Sequence, residues 1–190
     1  MNRDVASDME PSDLLLLVVG KKDRVIPGRT AFQKLVYFVS TDLKSDLGYK
    51  AHFYGPYSPI VAQAAEFLVQ TDFLREEETA LAPGYTQYAY SLTKDGIKAA
   101  ASARKLHANE DTRIQAVVDV CEKVAHLDTH VMSWAAKTHF ISQGGPEKVW
   151  TIDALMEQGR AVGWDITPPQ IRKGAELLFA LGFAKEAKNE

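Results

Sequence analysis

Hydrophobic positions along the chain fall into short periodic blocks separated by sharp polar or Gly/Pro breaks, and these blocks predict the elements. Pro11-Ser12-Asp13 leads into an apolar run over 14–19 that Gly20 stops, the signature of a short buried helix. Residues 21–28 are polar and end on Pro27-Gly28, a loop. Arg29-Thr30 opens a second helix in which Phe32, Leu35, Val36, Val39 and Leu43 share one face, and Gly48 closes that unit. Residues 49–54 have strand character. Gly55-Pro56-Tyr57 turns the chain, and Ser58-Pro59 starts a helix that reaches about Thr71, with Val61, Ala65, Leu68 and Val69 facing inward.

The period then changes. Phe73-Leu74-Arg75 reads as extended, Ala82-Pro83-Gly84 as a turn, and residues 85–92 alternate with tyrosines at 85, 88 and 90. Together they predict a β-hairpin. Thr93 caps a further helix running to about Leu106, and Gly96 lets that helix pack closely on the strands. Helix, helix, helix, hairpin, helix is the order of a winged-helix-type domain. Everything after it reads as helical. Ile114, Val117, Val118, Cys121 and Val124 form one stripe over 111–126, a helix covers 130–140, and Gln143-Gly144-Gly145-Pro146 breaks the chain. Helices over 152–161 and from Thr167-Pro168-Pro169 to Leu181 follow. The fold class expected is α+β, mainly helical, with a winged-helix-type domain over residues 12–106, a helical C-terminal region over 107–184, and flexible ends at 1–11 and 185–190.

A weak internal echo accompanies this order. Ala65-Glu66-Phe67-Leu68 with Phe73 parallels Ala175-Glu176-Leu177-Leu178 with Phe183 at the same spacing. It fits either a second helix-turn-helix without a wing or two amphipathic helices with similar ends.

Composition adds limits. The 190 residues are 46% hydrophobic and 25% charged, an ordinary globular balance. A net charge of −3 argues mildly against a dedicated phosphate binder. The single cysteine, Cys121, cannot form a disulfide within the chain and suits a reducing compartment. The acidic N-terminus does not read as a signal peptide, and no apolar run approaches the roughly 20 residues of a membrane span, so a cytoplasmic location without membrane contact is expected.

Three segments form a family pattern: Gly28-Arg29-Thr30-Ala31-Phe32-Gln33-Lys34-Leu35-Val36-Tyr37-Phe38, then His52-Phe53-Tyr54-Gly55-Pro56-Tyr57-Ser58, then Phe67-Leu68 through Phe73-Leu74. Over about residues 12–100 the chain resembles the YwgA-like proteins, and more distantly the SocA-like Panacea domain of antitoxins and phage-associated proteins. The YwgA-like resemblance implies a fold and no established activity. The Panacea resemblance implies neutralisation of a partner protein. Neither implies a catalytic residue.

The residues themselves supply few chemical candidates. Cys121 lies on an apolar stripe, where a free cysteine is usually a small hydrophobe. His126 and His130 would share a helical face, with Asp128 between them and His139 nearby, but zinc needs a third ligand. No metal, cofactor or catalytic site is expected, and the chain is read as a non-enzyme.

Nucleic acid is the alternative partner. From Pro56 to Thr93, where a winged helix normally meets DNA, Arg75 is the sole basic residue against Glu66, Asp72, Glu76, Glu77 and Glu78. A DNA-binding regulator would have to use a non-standard surface: Lys94 and Lys98 (with Lys105), Arg172 and Lys173, or the Lys21, Lys22, Arg24 and Arg29 cluster. The best candidate for partner binding is the turn Tyr54-Gly55-Pro56-Tyr57, whose tyrosines suit an interface anchor or, equally, a core plug. The leading expectation is a non-catalytic interaction protein that binds a partner protein, antitoxin-like or regulatory; a homo-oligomer is compatible with the sequence.

Overall fold

The architecture follows from a computed structural model that describes residues 9–20, 24–82, 85–143 and 151–184, with backbone alone at 79–82 and 85. The expected break at 144–146, the hairpin tip at 83–84, Lys21 and Lys22, and both chain ends lie outside the described residues. Eleven elements run in the order α1 (Pro11–Val19), β1 (Ile26–Pro27), α2 (Gly28–Leu43), α3 (Pro59–Gln70), β2 (Leu74–Ala82), β3 (Tyr85–Leu92), α4 (Lys94–Leu106), α5 (Ala108–Ala125), α6 (Thr129–Gln143), α7 (Ile152–Ala161) and α8 (Pro168–Ala180). The protein is thus a mainly helical α+β fold with a small antiparallel sheet of order β1-β3-β2.

Local chemistry accounts for most boundaries. The Ser58 hydroxyl accepts from the Val61 N–H at 3.2 Å and starts α3, and the Thr93 hydroxyl accepts from the Gly96 N–H at 3.0 Å and starts α4. Gln170 reaches back to the Thr167 N–H at 3.0 Å before α8. The hairpin expected from the tyrosine alternation is present; it pairs Leu74 with Leu92 and Glu76 with Tyr90, and a bulge lies between Ala80 and Ala82. A Cβ on Gly96 would sit 1.9 Å from the Phe73 carbonyl oxygen, so only glycine lets α4 begin this close to the hairpin. Gly174 plays the same part where α8 crosses α6: its Cβ would fall 2.7 Å from the Ala135 nitrogen.

The internal echo is a shared way of ending a helix. At the end of α3, Asp72 N–H donates to the Val69 carbonyl (3.1 Å) and Phe73 N–H to Leu68 (2.8 Å). At the end of α8, Gly182 donates to Phe179 (3.0 Å) and Phe183 to Leu178 (2.9 Å). α7 ends alike, with Gly163 bonded to Arg160 and Trp164 to Gly159. These are paired 5→2 and 6→1 bonds with an aromatic residue just past the left-handed position.

Four expectations change. Ile26–Pro27 is a strand, not loop: Ile26 pairs with Tyr90 and is fully buried, but two residues are too few to carry a period. Residues 49–54 form no strand beyond one bridge between Lys50 and Tyr57. Their carbonyls are used elsewhere: His52 O accepts from Gly55 N–H (2.9 Å) and from Trp164 Nε1 (2.8 Å). The α5 stripe ends on Ala125, while Val124 is exposed. Finally, α2 is not one-sided. Residues 31–40 are all buried, Gln33 and Lys34 among them. α2 lies against α1, α3, β1 and β3 on some sides and against α5 and α6 on others. One apolar cluster accordingly joins residues of α1–α4 to residues of α5, α6 and α8, and a smaller one around Leu155, Trp164, Ile166 and Ile171 seats α7. No helix among the described residues is long and apolar enough to cross a membrane.

Candidate functional site

The first two segments of the family pattern meet in space. Gln33 Nε2 donates to the Ser58 carbonyl at 3.0 Å, and Ser58 N–H donates to Gln33 Oε1 at 3.1 Å, so one buried amide side chain closes both main-chain groups at the start of α3. One residue on, Lys34 Nζ donates to the Pro56 carbonyl at 2.7 Å. The Ser58 hydroxyl donates to the Leu47 carbonyl at 2.5 Å. Lys50 and Tyr57 exchange backbone bonds at 3.0 and 2.9 Å, and Ser133 of α6 donates to the Tyr54 carbonyl at 2.7 Å. Gly55 has φ +104°, and a side chain there would press on Lys34 Cε (3.1 Å) and Lys137 Cγ (3.2 Å). The turn is therefore fastened from α2, α6 and the segment after α7 at once.

This fastening divides the four residues Tyr54, Gly55, Pro56 and Tyr57. Gly55 and Pro56 are buried and Tyr57 half-buried, its ring 5.1 Å from that of His52. Tyr54 points out at 59% exposure, next to Phe53 at 76%, the two rings edge to face with centroids 4.9 Å apart. Burial thus divides the turn: Gly55 and Pro56 face inward, and Tyr54 faces solvent. Phe53, Ser133, Lys137 and Trp164 were not singled out from sequence. A detectable signal for Lys34 existed, a lysine set inside an apolar helical pattern a short distance from a rigid Gly-Pro step.

Electrostatics at the turn are unusual. Lys34 is 2% exposed, and burial, helped by the nearby positive charge of Lys137, lowers its amine from the ordinary value to about 7. Burial also lowers the Lys137 amine, which lies 5.4 Å from the centre of the Trp164 ring.

No family model matches the chain, and no curated protein matches it.

The other sequence candidates disperse. Lys94, Lys98, Arg172 and Lys173 are exposed, but Lys98 pairs with Asp95 at 2.7 Å and Lys173 with Glu176 at 2.5 Å. Arg24 is buried and holds Glu122 at 2.6 Å and Asp119 at 3.4 Å, together with the Val18 carbonyl and Gln115. It fastens the start of β1 to α5 and is not part of a basic surface. Arg29 makes a two-bond contact to Glu76 at 2.8 Å each and lies 3.9 Å over the Tyr88 ring, and Tyr90 also donates to Glu76. Arg29 holds the Glu76 carboxyl below its usual range. Arg29, Glu76 and Tyr90 line one end of a cleft of about 560 Å³ between α2, α3 and the hairpin, walled by Phe32, Val61, Ala65 and Val69. Arg29 and Glu76 neutralise one another, while on the α3 side Gln70 donates to Glu66 at 3.1 Å.

Reactive groups are held apart. Cys121 is fully buried and its thiol is pushed up to about 12 by burial, so it stays protonated. His126 and His130 do not share a helical face: α5 ends at Ala125, His126 and Leu127 take left-handed conformations, and α6 starts at Thr129. His139 is buried, with Nδ1 2.7 Å from the Tyr37 hydroxyl. Among the described residues no three His, Cys, Asp or Glu side chains are placed to share a metal ion.

Proposed function

We propose that the chain is a non-catalytic interaction protein on a winged-helix-type scaffold, working in the cytoplasm by binding a partner protein in an antitoxin-like or regulatory role. The element order helix, short strand, two helices, hairpin, helix, with the short strand beside the second hairpin strand, supports the winged-helix reading. The observation that carries the functional reading is the exposed Phe53–Tyr54 pair on a backbone fastened by Lys34, Ser133 and Trp164. Aromatic anchors that are already ordered lose little entropy on binding, the profile of an interface hot spot. The outer face of α3 supports a protein partner too: it offers Ile60 and Phe67 and no cation, and the hairpin's Arg75 faces Glu77 at 3.5 Å. Counterion release gives such a surface nothing on DNA.

The test is affinity capture from the source cells with the wild-type chain and with a Phe53→Ala/Tyr54→Ala double variant, alongside binding to sheared host DNA at physiological salt. A stoichiometric protein retained by the wild type and lost by the variant is expected. Tight DNA binding that both chains share and that Lys94→Ala/Arg172→Ala weakens would replace this reading with the DNA-binding regulator.

A further inference from the structure

Residues 48–57 form a loop pinned at its base and latched further along. At the base, the Ser58 hydroxyl donates to the Leu47 carbonyl at 2.5 Å, and Gln33 closes both main-chain groups of Ser58. Gly48, at φ +63°, and residues 50–54 are exposed. Single bonds hold the loop beyond its base: the Lys50–Tyr57 bridge, Lys34 to Pro56, Ser133 to Tyr54 and Trp164 to His52. A segment with few buried apolar side chains opens at lower cost than α2, which is buried along residues 31–40.

The loop itself covers the end of Lys34. A Cβ on Gly55 would lie 3.1 Å from Lys34 Cε, and the Pro56 carbonyl takes the amine at 2.7 Å. An ammonium there brings three N–H groups and a charge to that one acceptor. No counter-charge is at hand: among the described residues neither Lys34 nor Lys137 has a carboxylate within ion-pair range. From α6, Lys137 packs its Cγ on Gly55 and repels the Lys34 charge; His130 is exposed a turn and more away, and His139 is bonded to Tyr37. The loop adds Lys50, His52 and the hydroxyls of Tyr49, Tyr54 and Tyr57, and no acid. The bordering acids are used or outside: Asp46 accepts the Gly48 N–H, Asp128 accepts the His130 and Val131 N–H groups, and Asp165 is exposed. On α2, Arg29 is matched by Glu76 and Asp42 by Arg113 of α5.

We propose that Lys34 is a proton-controlled latch: neutral, it holds residues 48–57 and the Phe53–Tyr54 pair in place; protonated, it favours a state in which the loop lifts off α2 and α6 and the amine meets water. The base at Leu47 and Ser58 stays closed. With the loop open the amine has its ordinary value of 10.5, and with the loop closed about 7. Opening therefore takes up a proton between these values. The open population falls as pH rises above 7, by up to about tenfold per pH unit, and is level below 7, where both states are protonated. Lys137, also lowered, acts in the same direction.

The test is chymotrypsin cleavage of the full chain at pH 6.0, 7.0 and 8.5 and fixed ionic strength. Cuts after Phe53 and Tyr54 are identified by mass and divided by cutting of a free peptide of residues 46–62, which removes the protease's own response to pH. Normalised cleavage should fall about tenfold or more from pH 7.0 to 8.5 and change less than about threefold from 6.0 to 7.0. Lys34→Met should change less than about threefold over the whole range. Lys137→Met removes the repelling charge, so Lys34 holds its proton to higher pH and the level region should extend upward; this variant decides the matter if Lys34→Met does not fold.

A flat response in the wild type, equal responses in the wild type and Lys34→Met, or an unmoved level region in Lys137→Met would overturn the proposal. So would cutting after the buried Phe38 at the rate seen in the loop, since that is global unfolding. The latch acts on the turn that carries the interaction reading, but the free chain tests it. A captured partner with pH-independent loop cleavage leaves that reading and removes the latch; pH-dependent cleavage without a partner does the reverse.

Discussion

The Lys34 amine lies 2.7 Å from the Pro56 carbonyl, and that bond ties the central helix α2 to the turn that displays Phe53 and Tyr54. A lysine 2% exposed is costly when charged, and its lowered amine, near 7, expresses that cost. The sequence pattern gains a physical meaning from it. Gln33 and Lys34 sit side by side because one closes the backbone at Ser58 and the other at Pro56.

Stability should consequently rise with pH just above neutrality. In the unfolded chain Lys34 stays protonated up to about 10.5, whereas in the folded chain it deprotonates near 7. Between these values the unfolded state binds the extra proton, so raising pH favours folding, by up to about 1.4 kcal/mol per pH unit for one fully linked group. Lys137, also lowered, acts in the same direction. Above about pH 9 the sign reverses, because buried Cys121, Tyr37 and Tyr49 resist ionisation in the folded state only. Urea unfolding at pH 7.0 and 8.5 and fixed ionic strength should show the wild type gaining stability and Lys34→Met gaining clearly less. Equal slopes in the two chains would remove Lys34 as the source.

Gly96→Ala should destabilise by about 3 kcal/mol, the upper end of ordinary overpacking penalties. The added methyl would meet the Phe73 carbonyl at 1.9 Å, a main-chain atom that also accepts the Thr93 N–H at 3.2 Å and cannot swing aside. Gly163→Ala is the contrasting change, since nothing lies within 4 Å of its Cβ and only its φ of +78° opposes a side chain. It should cost about 1 kcal/mol. Denaturation midpoints of the two variants check the order.

How much of this was legible in the sequence depends on where each signal was encoded. Helix starts at Ser58 and Thr93 and the alternation in the hairpin are local, and local residues suffice to read them. The strand Ile26–Pro27 exists because β3 lies beside it, a partner more than sixty residues away. The burial of Gln33 and Lys34 likewise depends on α5 and α6 covering a face of α2 that hydropathy marks as polar. The candidate turn was found by its Gly-Pro step, but only packing against Lys34 and Ser133 decides that Gly55 and Pro56 go inward and Tyr54 outward.

Arg24→Met should cost about 2–3 kcal/mol, less than the 3–5 kcal/mol of breaking a fully buried pair. The guanidinium is buried, but its partners Asp119 and Glu122 keep 40% and 35% side-chain exposure and can take up water when it goes. The Val18 carbonyl and Gln115 would lose a donor. A loss well under 1 kcal/mol by urea unfolding would mean that Arg24 does not secure the segment before β1 to α5.

Asp72→Gly should stabilise the protein, and the argument comes from three helix ends built alike. α3, α7 and α8 each close with the same pair of backbone bonds around one residue of positive φ: Asp72 (+58°), Gly163 (+78°) and Gly182 (+73°). Two of the three use glycine, for which the left-handed region carries no side-chain clash. Asp72 alone carries a Cβ there. Its main-chain carbonyl, which accepts the Thr93 hydroxyl at 2.5 Å, would be kept by glycine. Relief of the clash favours the folded state by about 1–2 kcal/mol. Glycine's extra freedom in the unfolded chain offsets part of that, by about 0.4–1 kcal/mol. The expected net gain is about 0.5–1 kcal/mol, read as a higher denaturation midpoint with an unchanged urea dependence. Asp72→Ala separates the causes: it keeps the Cβ clash and should not stabilise. A gain in the alanine variant equal to that in glycine would locate the effect in the aspartate charge and not in the backbone.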